Sequence, residues 1–237
     1  MMPKMLPQSS PGFLIFGHRG AAGLAPENTL GSFARAVELG VDGIEMDVRM
    51  CGKRAVVIHD VDVDRTTDGS GPVAEHSFSA LRNLDAGCGQ TIPTLQEALE
   101  SLPREVMVNI ELKGPDTGKT VAEIVHRQLD GESRSRLMLV SSFDYAELAR
   151  FHSLRPEVAC APLAWRWSIG LRGTARRLSA WSVNLSDQAT TAQRVARVRR
   201  WGCRCLVYTV NDPERGRQLR SWGVDGLFTD FPDRFLP

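Results

Sequence analysis

Residues 43–60 read GIEMDVRMCGKRAVVIHD and contain two strand-like runs in close succession. The first is Gly43–Val48 and the second is Ala55–His59. The connection between them has no room for a helix, and a parallel crossover needs about a dozen residues or more. We therefore expect an antiparallel hairpin with its turn near Cys51–Arg54.

The register of this hairpin decides which side chains meet. Pairing across the turn places Val48 opposite about Val57. Glu45 and Asp47 are two residues apart on the first strand, so both point to the same face. The second strand would return His59 to their level, and the sequence therefore predicts an acidic and imidazole-bearing face on one strand pair.

Short aliphatic runs alternate with helical stretches along the rest of the chain. Such alternation predicts a parallel sheet with helices on both faces, and eight strands are the number that closes a (β/α)8 TIM barrel. The expected strands are Leu14–Phe16, Gly43–Val48, Val106–Leu112, Leu137–Ser141, Val158–Leu163, Trp181–Leu185, Cys205–Val210 and Gly226–Thr229. Helices expected between them include Thr29–Leu39, Leu95–Ser101, Thr120–Leu129, Tyr145–Ser153, Gln193–Trp201 and Pro213–Ser221.

The chain length suits a single barrel domain spanning residues 1–237, because such barrels take about 250 residues. One stretch, at about 60–91, departs from the alternation and contains Asp-Gly, Ser-Gly and Gly-Pro steps. We expect it to form a small insertion or lid after the hairpin.

Three acidic residues fall at strand ends, where barrels carry their catalytic groups. They are Glu45, Asp47 and Glu111. Carboxylates that converge in one barrel mouth need raised pKa values or a neutralising cation. An all-oxygen set suits one divalent cation, Mg²⁺ or Ca²⁺, rather than zinc. The alternative is simple charge pairing, with Glu45 on Arg19 and Glu111 on Lys113.

Two histidines and two cations are expected around the same mouth. His18 and His59 are suited to proton transfer near pH 7. Arg19 and Lys113 carry the positive charge that phosphate oxygens bind. A metal-type acidic cluster, paired imidazoles and cations together predict a divalent-metal phosphoric ester hydrolase.

Several short motifs occur in an order and spacing that resemble the glycerophosphodiester phosphodiesterase family over nearly the whole chain. They are Gly17-His18-Arg19-Gly20, Ala25-Pro26-Glu27-Asn28-Thr29-Leu30, Glu45-Met46-Asp47-Val48, His59-Asp60, Asp64-Arg65-Thr66-Thr67, Ile92-Pro93-Thr94-Leu95, Glu111-Leu112-Lys113, Tyr208-Thr209-Val210-Asn211 and residues 226–230. The resemblance implies a barrel that hydrolyses glycerophosphodiesters to glycerol 3-phosphate and an alcohol.

The same resemblance implies a role for each site residue. It assigns metal ligation to Glu45, Asp47 and Glu111, acid–base catalysis to His18 and His59, and phosphate contacts to Arg19 and Lys113. Asn28 has two interpretations, as the N-cap of the first helix or as a residue lining the site.

The resemblance also suggests internal attack by the substrate's glycerol 2-hydroxyl, through a cyclic phosphate. Attack by a metal-bound water is the alternative.

Tyr208 stands where the family usually has Trp, on a strand end that would touch the glycerol moiety, so it bears on substrate preference. The hairpin turn also lacks the family's usual Asp-Gly, and the segment before Ile92 is short.

Two other functions remain open at this stage. One is lysophospholipase D-like activity on lysophospholipids, and the other is an inactive barrel that binds a phosphorylated ligand. Residues 161–204 hold nine Arg and a single acid, Asp187, and Trp165, Trp167 and Trp181 lie there too. This segment is either a solvated outer face or a rim that meets a phospholipid surface.

Composition limits the partners and the compartment. The 29 basic and 28 acidic residues nearly balance, so nucleic acid is not an expected partner. Five Cys do not suggest a disulfide framework. Met1–Gly12 lacks the features of a secretory signal, and no apolar run is long enough for a membrane anchor. We expect a cytoplasmic enzyme with a small-molecule substrate, and the sequence leaves its oligomeric state open.

Overall fold

The computed structural model describes residues 12–128 and 138–236. Eight parallel strands close into a barrel because β1 pairs with both β9 and β2. The predicted TIM barrel is therefore confirmed. The strands are β1 Leu14–Gly17, β2 Gly43–Cys51, β3 Arg54–Val57, β4 Met107–Leu112, β5 Met138–Ser142, β6 Ala159–Ala164, β7 Ser182–Ser186, β8 Arg204–Tyr208 and β9 Gly226–Thr229, of which β3 is the additional antiparallel strand.

Helices follow the barrel strands, and most begin at a side chain that accepts a backbone N–H. The clearest start is a capping box, in which Thr94 and Glu97 satisfy each other's backbone N–H groups. Asp144 and Asp212 cap two later helices. The helices in the described residues are α1 Leu30–Glu38, α2 Phe78–Arg82, α3 Leu95–Ser101, α4 Thr117–Gln128, α5 Tyr145–Leu154, α6 Leu171–Arg177, α7 Ala192–Arg200 and α8 Pro213–Ser221.

Some predicted boundaries differ from the structure or lie outside the described residues. The strand expected to reach Val210 ends at Tyr208. Leu129 and Leu137, expected at an end of a helix and a strand, fall in the segment 129–137, which is not described. Most of the N-terminal segment used for the secretory-signal prediction, residues 1–11, is likewise outside the described residues.

Two apolar layers build the barrel. One fills its interior, where the Phe16 and Phe228 rings lie 4.9 Å apart between their centroids. The other lies between strands and helices, and it contains the fully buried side chain of Met46. Because neighbours along a strand alternate in direction, Met46 faces the helices while Glu45 and Asp47 face the interior.

The hairpin has the predicted register. Val48 pairs with Val57, and Cys51 pairs with Arg54 across a turn in which Gly52 has φ +56°. Glycine adopts this left-handed backbone without steric cost. Gly52 therefore allows the tight turn even though the family's usual Asp-Gly is missing here.

The stretch after the hairpin contains α2, a 3₁₀ turn at Val73–Glu75 and a small apolar cluster of its own that packs on β3. Its role as a lid stays a prediction.

Within residues 12–128 and 138–236, no helix has both the length and the apolar composition that crossing a membrane requires.

Candidate active site

The three predicted acidic residues meet inside the barrel mouth. Glu45 and Asp47 lie on β2, and Glu111 lies on β4 directly beside Asp47 in the strand register. One carboxylate oxygen from each residue lies within 4.8 Å of the other two. Glu45 and Asp47 are buried and Glu111 is nearly so, which places three acidic groups in a volume that could hold one cation.

The electrostatics of the cluster show that it cannot carry three negative charges unaided. Burial, with the charges of Asp47 and Glu111, raises the pKa of Glu45 well above its usual value. Burial and the charge of Asp47 raise the pKa of Glu111 to about 7. Burial also opposes ionisation of Asp47, but Arg19 and Lys113 outweigh it and lower its pKa.

A metal ion fits this cluster. The Oε1 atom of Glu45 is buried and has no hydrogen-bond partner, and a buried polar atom without a partner is costly. A divalent cation would supply that partner and would compensate the repulsion between the acids. All-oxygen donors suit Mg²⁺ and Ca²⁺ alike.

Asn28 holds Asp47 in place. Its Nδ2 donates to Asp47 Oδ2 at 2.9 Å, and its Oδ1 accepts from the Asp47 backbone N–H at 3.2 Å. The N-cap of α1 is instead Thr29, which accepts from the Ser32 N–H. The interpretation of Asn28 as the helix cap is therefore wrong, because its backbone, at φ +57°, belongs to the preceding turn.

The two positively charged side chains predicted at the mouth, Arg19 and Lys113, flank the three acidic residues. The Arg19 Nε lies 3.3 Å from Asp47 Oδ2, and its Nη1 donates to Glu27 at 2.7 Å. Lys113 Nζ donates to Glu111 at 2.8 Å and lies 3.6 Å from Asp47 Oδ1. Simple charge pairing thus accounts for Lys113 and Glu111. It does not account for Glu45, which accepts from the backbone N–H of Arg19 rather than from its guanidinium.

His18 follows β1 and is held by a residue from the other end of the chain. Its Nδ1 lies 2.7 Å from Asp230 Oδ1, and its Nε2 lies 4.0 Å from Glu45 Oε2. Burial opposes ionisation of Asp230, but the hydrogen bond with His18 and the imidazole charge outweigh it, so the pKa of Asp230 is lowered. Asp230 is therefore ionised near pH 7.

His59 follows β3 and is held by its neighbour in sequence. Its Nδ1 lies 2.6 Å from Asp60 Oδ1, and its carbonyl oxygen accepts from Arg49 Nε at 2.7 Å. The hydrogen bond from Arg65 holds the pKa of Asp60 well below its usual range. Burial lowers the pKa of His59 itself.

Tyr208 ends β8, and its ring meets Phe143, which follows β5. Its ring contacts Phe143 edge-on at 5.9 Å between centroids, and Lys113 Nζ lies 5.9 Å from the Phe143 ring. The Tyr208 hydroxyl is buried and unpartnered, and burial raises its pKa. The mouth thus holds an aromatic pair beside its charged groups.

Three supporting residues were not assigned roles from the sequence. Asp230 holds His18, Asn211 donates to Asp230 Oδ2 at 2.7 Å, and Glu27 joins Arg19 to Arg65. A signal was present for all three, because each stands in a motif that resembles the family. The contact of Asp230 with His18 depends on closure of the barrel and has no local pattern.

Comparisons with known proteins agree with this geometry. The model of the glycerophosphoryl diester phosphodiesterase family matches residues 18–234. A glycerophosphodiester phosphodiesterase of Bacillus altitudinis is 34% identical over 93% of this chain and 95% of its own. Another, from Caldanaerobacter subterraneus, is 32% identical over 94% of this chain and 96% of its own.

Solved structures extend the likeness to the fold. A phosphodiesterase of Oleispira antarctica, solved in complex with the product sn-glycerol-3-phosphate, superposes with a TM-score of 0.86 at 30% identity. This match covers 93% of this chain and 94% of that one. The match of the family model over most of the chain and the relatives above 30% identity show that the chain belongs to the glycerophosphoryl diester phosphodiesterase family.

Proposed function

We propose that this enzyme hydrolyses glycerophosphodiesters to glycerol 3-phosphate and an alcohol, with one divalent cation and two histidines. The observation that supports this most strongly is the arrangement of His18 and His59 around one acidic cluster, each with Nδ1 engaged by an aspartate. The family provides the substrate class, and the site provides the chemistry.

Glu45, Asp47 and Glu111 would hold the cation, which when bound withdraws charge from the phosphate. Asn28 keeps one Asp47 oxygen in a fixed position through two hydrogen bonds. The backbone N–H of Arg19 does the same for Glu45 Oε2. The cluster is thus arranged in advance of binding.

Arg19 and Lys113 bring positive charge to the same mouth and are suited to binding the phosphate oxygens. Both are largely buried. Burial lowers the pKa of each, but the neighbouring carboxylates outweigh it, so both stay charged. A positively charged side chain that is held in a partly dry site stabilises developing negative charge on the phosphate more strongly than the same side chain in water does.

Each histidine is arranged for proton transfer at Nε2. An ionised aspartate accepts a hydrogen bond, so the neutral imidazole donates from Nδ1 and leaves its lone pair on Nε2. We assign one histidine to take the proton from the nucleophile and the other to give one to the leaving alcohol.

The nucleophile we propose is the glycerol 2-hydroxyl of the substrate, which would give a cyclic phosphate that water then opens. Neither histidine has a Ser, Cys or Thr next to it in the chain. An internal hydroxyl also gains greatly in effective concentration. Direct attack by water is the competing route.

A release assay tests the reaction and separates the two routes. Glycerol 3-phosphate release is measured over a panel of headgroups, with and without a chelator, on normal and 2-deoxy substrates. Internal attack predicts that the 2-deoxy substrates resist cleavage. Comparable rates would exclude the cyclic route, and no release from any headgroup would favour an inactive binding barrel.

A thermal experiment tests the metal without relying on activity. Glu111 has a folded pKa of about 7 against a usual 4.5. The folded protein therefore retains a proton that the unfolded chain has lost. Stability without cation falls as pH rises between these two values. A cation that binds the ionised cluster reverses this loss.

The increase in Tm caused by Mg²⁺ or Ca²⁺ should therefore grow from about pH 5 to about pH 7.5. Glu45→Gln or Glu111→Gln should remove most of that increase and strongly reduce turnover. Glu123→Gln, on the exposed face of α4, is the matched control. A Tm that no divalent cation changes at either pH would contradict the metal assignment.

A further inference from the structure

Exposed apolar side chains are concentrated around the barrel mouth. Among the described residues, the large hydrophobic side chains with high exposure are Leu24, Leu30, Val61, Phe143, Leu154, Trp165 and Ile169. Leu154 ends α5, at the far end of the barrel. Five of the others lie in loops that follow parallel strands or in the first turn of a helix, which is the mouth side of such a barrel. Val61 comes two residues after His59 in the chain.

The most exposed of these residues lie in the loop between β6 and α6, residues 165–170. Trp165 is 57% exposed and Ile169 is 99% exposed. An isolated exposed hydrophobic residue needs no explanation, but a clustered set marks an interaction surface.

The loop that carries them is anchored, so their exposure does not come from a loose segment. The Trp165 carbonyl accepts from Ser186 Oγ at 2.9 Å, at the end of β7. Trp167 packs on Trp201, with ring centroids 5.4 Å apart, and Arg194 lies over its ring. Trp165 and Ile169 are thus presented on either side of a fixed Trp.

The charge beside this loop is positive. Residues 165–186 contain four Arg and no acidic residue. Arg166 lies between the two Trp residues and Arg172 lies in the first turn of α6, and both are exposed. Exposed apolar side chains with adjacent cations are the pattern of a surface that binds anionic lipid, where Trp lies at headgroup level.

We propose that the loop at residues 165–170 docks the barrel mouth onto a phospholipid bilayer that contains anionic lipid. Trp165 and Ile169 enter the interface, and Arg166 and Arg172 contact headgroup phosphates. The active-site mouth then faces the membrane surface. The docking is reversible, since one loop buries little apolar area compared with a membrane-spanning helix.

Vesicle sedimentation without substrate tests this directly. The full chain is mixed with vesicles of phosphatidylcholine alone or of phosphatidylcholine with phosphatidylglycerol. We expect binding to the mixed vesicles that falls with added salt and is weak on phosphatidylcholine alone. Ile169→Ser, Trp165→Ser and Arg166→Glu should each lower the partition coefficient by about threefold to tenfold.

The opposite end of the barrel provides matched controls. Leu154→Ser removes an exposed leucine at the end of α5, and Arg176→Glu reverses a charge in the last turn of α6. Both should leave vesicle binding unchanged, and all five variants should keep wild-type turnover of a water-soluble glycerophosphodiester. Since binding is measured without substrate, it can fail while the proposed reaction holds.

Fluorescence gives a second measurement. Brominated acyl chains should quench part of the Trp emission of the wild type, and Trp165→Phe should abolish that quenching while the other four Trp remain. Three results would overturn the proposal: no binding to mixed vesicles, an equal loss in the Leu154→Ser control, or concentration-dependent dimerisation that Ile169→Ser abolishes and that replaces vesicle binding.

Discussion

The two histidines of the mouth are held in nearly the same way by two unlike parts of the chain. His18 lies 2.7 Å from Asp230, a residue 212 positions away, while His59 lies 2.6 Å from its immediate neighbour Asp60. In both pairs Nδ1 faces the carboxylate and Nε2 is left for the substrate. The same local chemistry thus arises once from closure of the barrel and once from a hairpin end.

The difference lies in what supports each aspartate. The second oxygen of Asp230 accepts from Asn211, whose own Oδ1 accepts from the Asp230 backbone N–H at 2.9 Å. The second oxygen of Asp60 accepts from Arg65, which is 50% exposed. The neutral Asn211 amide fixes one aspartate through two hydrogen bonds, and an exposed ion pair with Arg65 fixes the other. We therefore expect the His18–Asp230 contact to depend on the closed barrel, and the His59–Asp60 contact to depend on the salt concentration of the solvent.

Removing either imidazole should have the largest effect. His18→Ala and His59→Ala should each lower kcat by about 10²–10⁴-fold, the usual contribution of a general acid or base. Cation binding, followed by the increase in Tm, should survive in both. His126→Ala, on the exposed face of α4, is the control. Unchanged turnover in His59→Ala would remove that residue from the mechanism.

Replacing each aspartate by its amide should separate the two pairs. In Asp230→Asn, the Asn211 amide still requires an oxygen, so the new NH₂ group must face His18 and impose the wrong tautomer. We expect kcat to fall on the order of a hundredfold.

Asp60→Asn faces the same conflict through Arg65, but that exposed side chain can move away and let the amide turn. Its expected loss is about tenfold. Both variants are compared by kcat at saturating substrate and cation. Equal losses would mean that the support behind each aspartate does not matter.

The pH profile sharpens the same comparison for His59. Burial lowers the pKa of His59, while the hydrogen bond with Asp60 raises it. With His59 as the base that takes the proton from the nucleophile, the acidic limb of kcat/KM should lie at a pH below the ordinary histidine pKa, since the imidazole loses its proton at lower pH. Asp60→Asn removes a contribution that raises the pKa, so the limb should move to still lower pH, by about one unit or less. Movement to higher pH would contradict this assignment, and Glu123→Gln should not move the limb.

The features of the fold that depend on local sequence pattern could be predicted from the sequence. The eight barrel strands and the register of Val48 on Val57 were confirmed, because strand periodicity and a short connection admit few alternatives. The convergence of Glu45, Asp47 and Glu111 follows from the same reasoning, since carboxyl ends of neighbouring parallel strands meet at one rim. Their roles in metal binding stay predictions.

Other features could not be predicted from the sequence. Asn28 and Thr29 are adjacent and both are good N-cap residues, so only the backbone conformation shows that Thr29 caps the helix and Asn28 holds Asp47. The contact of Asp230 with His18 depends on which strands close the barrel. The exposure of Trp165, in contrast to the packed Trp167, depends on how one loop folds back on β7.

The smallest expected effect concerns salt. Arg65→Ala removes an exposed cation from Asp60 and Glu27, and exposed ion pairs contribute about 1 kcal/mol or less, so kcat should fall by about fivefold or less. Asn211→Ala removes a neutral support of Asp230 instead.

Salt weakens the first contact and leaves the second, because the Debye length, about 10 Å at 0.1 M ionic strength, shortens as salt is added and weakens attraction between exposed charges. The ratio of wild-type kcat to Arg65→Ala kcat should therefore narrow as salt is raised from about 0.05 M to about 0.5 M, while the ratio to Asn211→Ala stays constant. Using ratios cancels the effect of salt on substrate and cation binding. Two ratios that change in parallel would show that the two histidine–aspartate pairs are supported alike, despite their different neighbours.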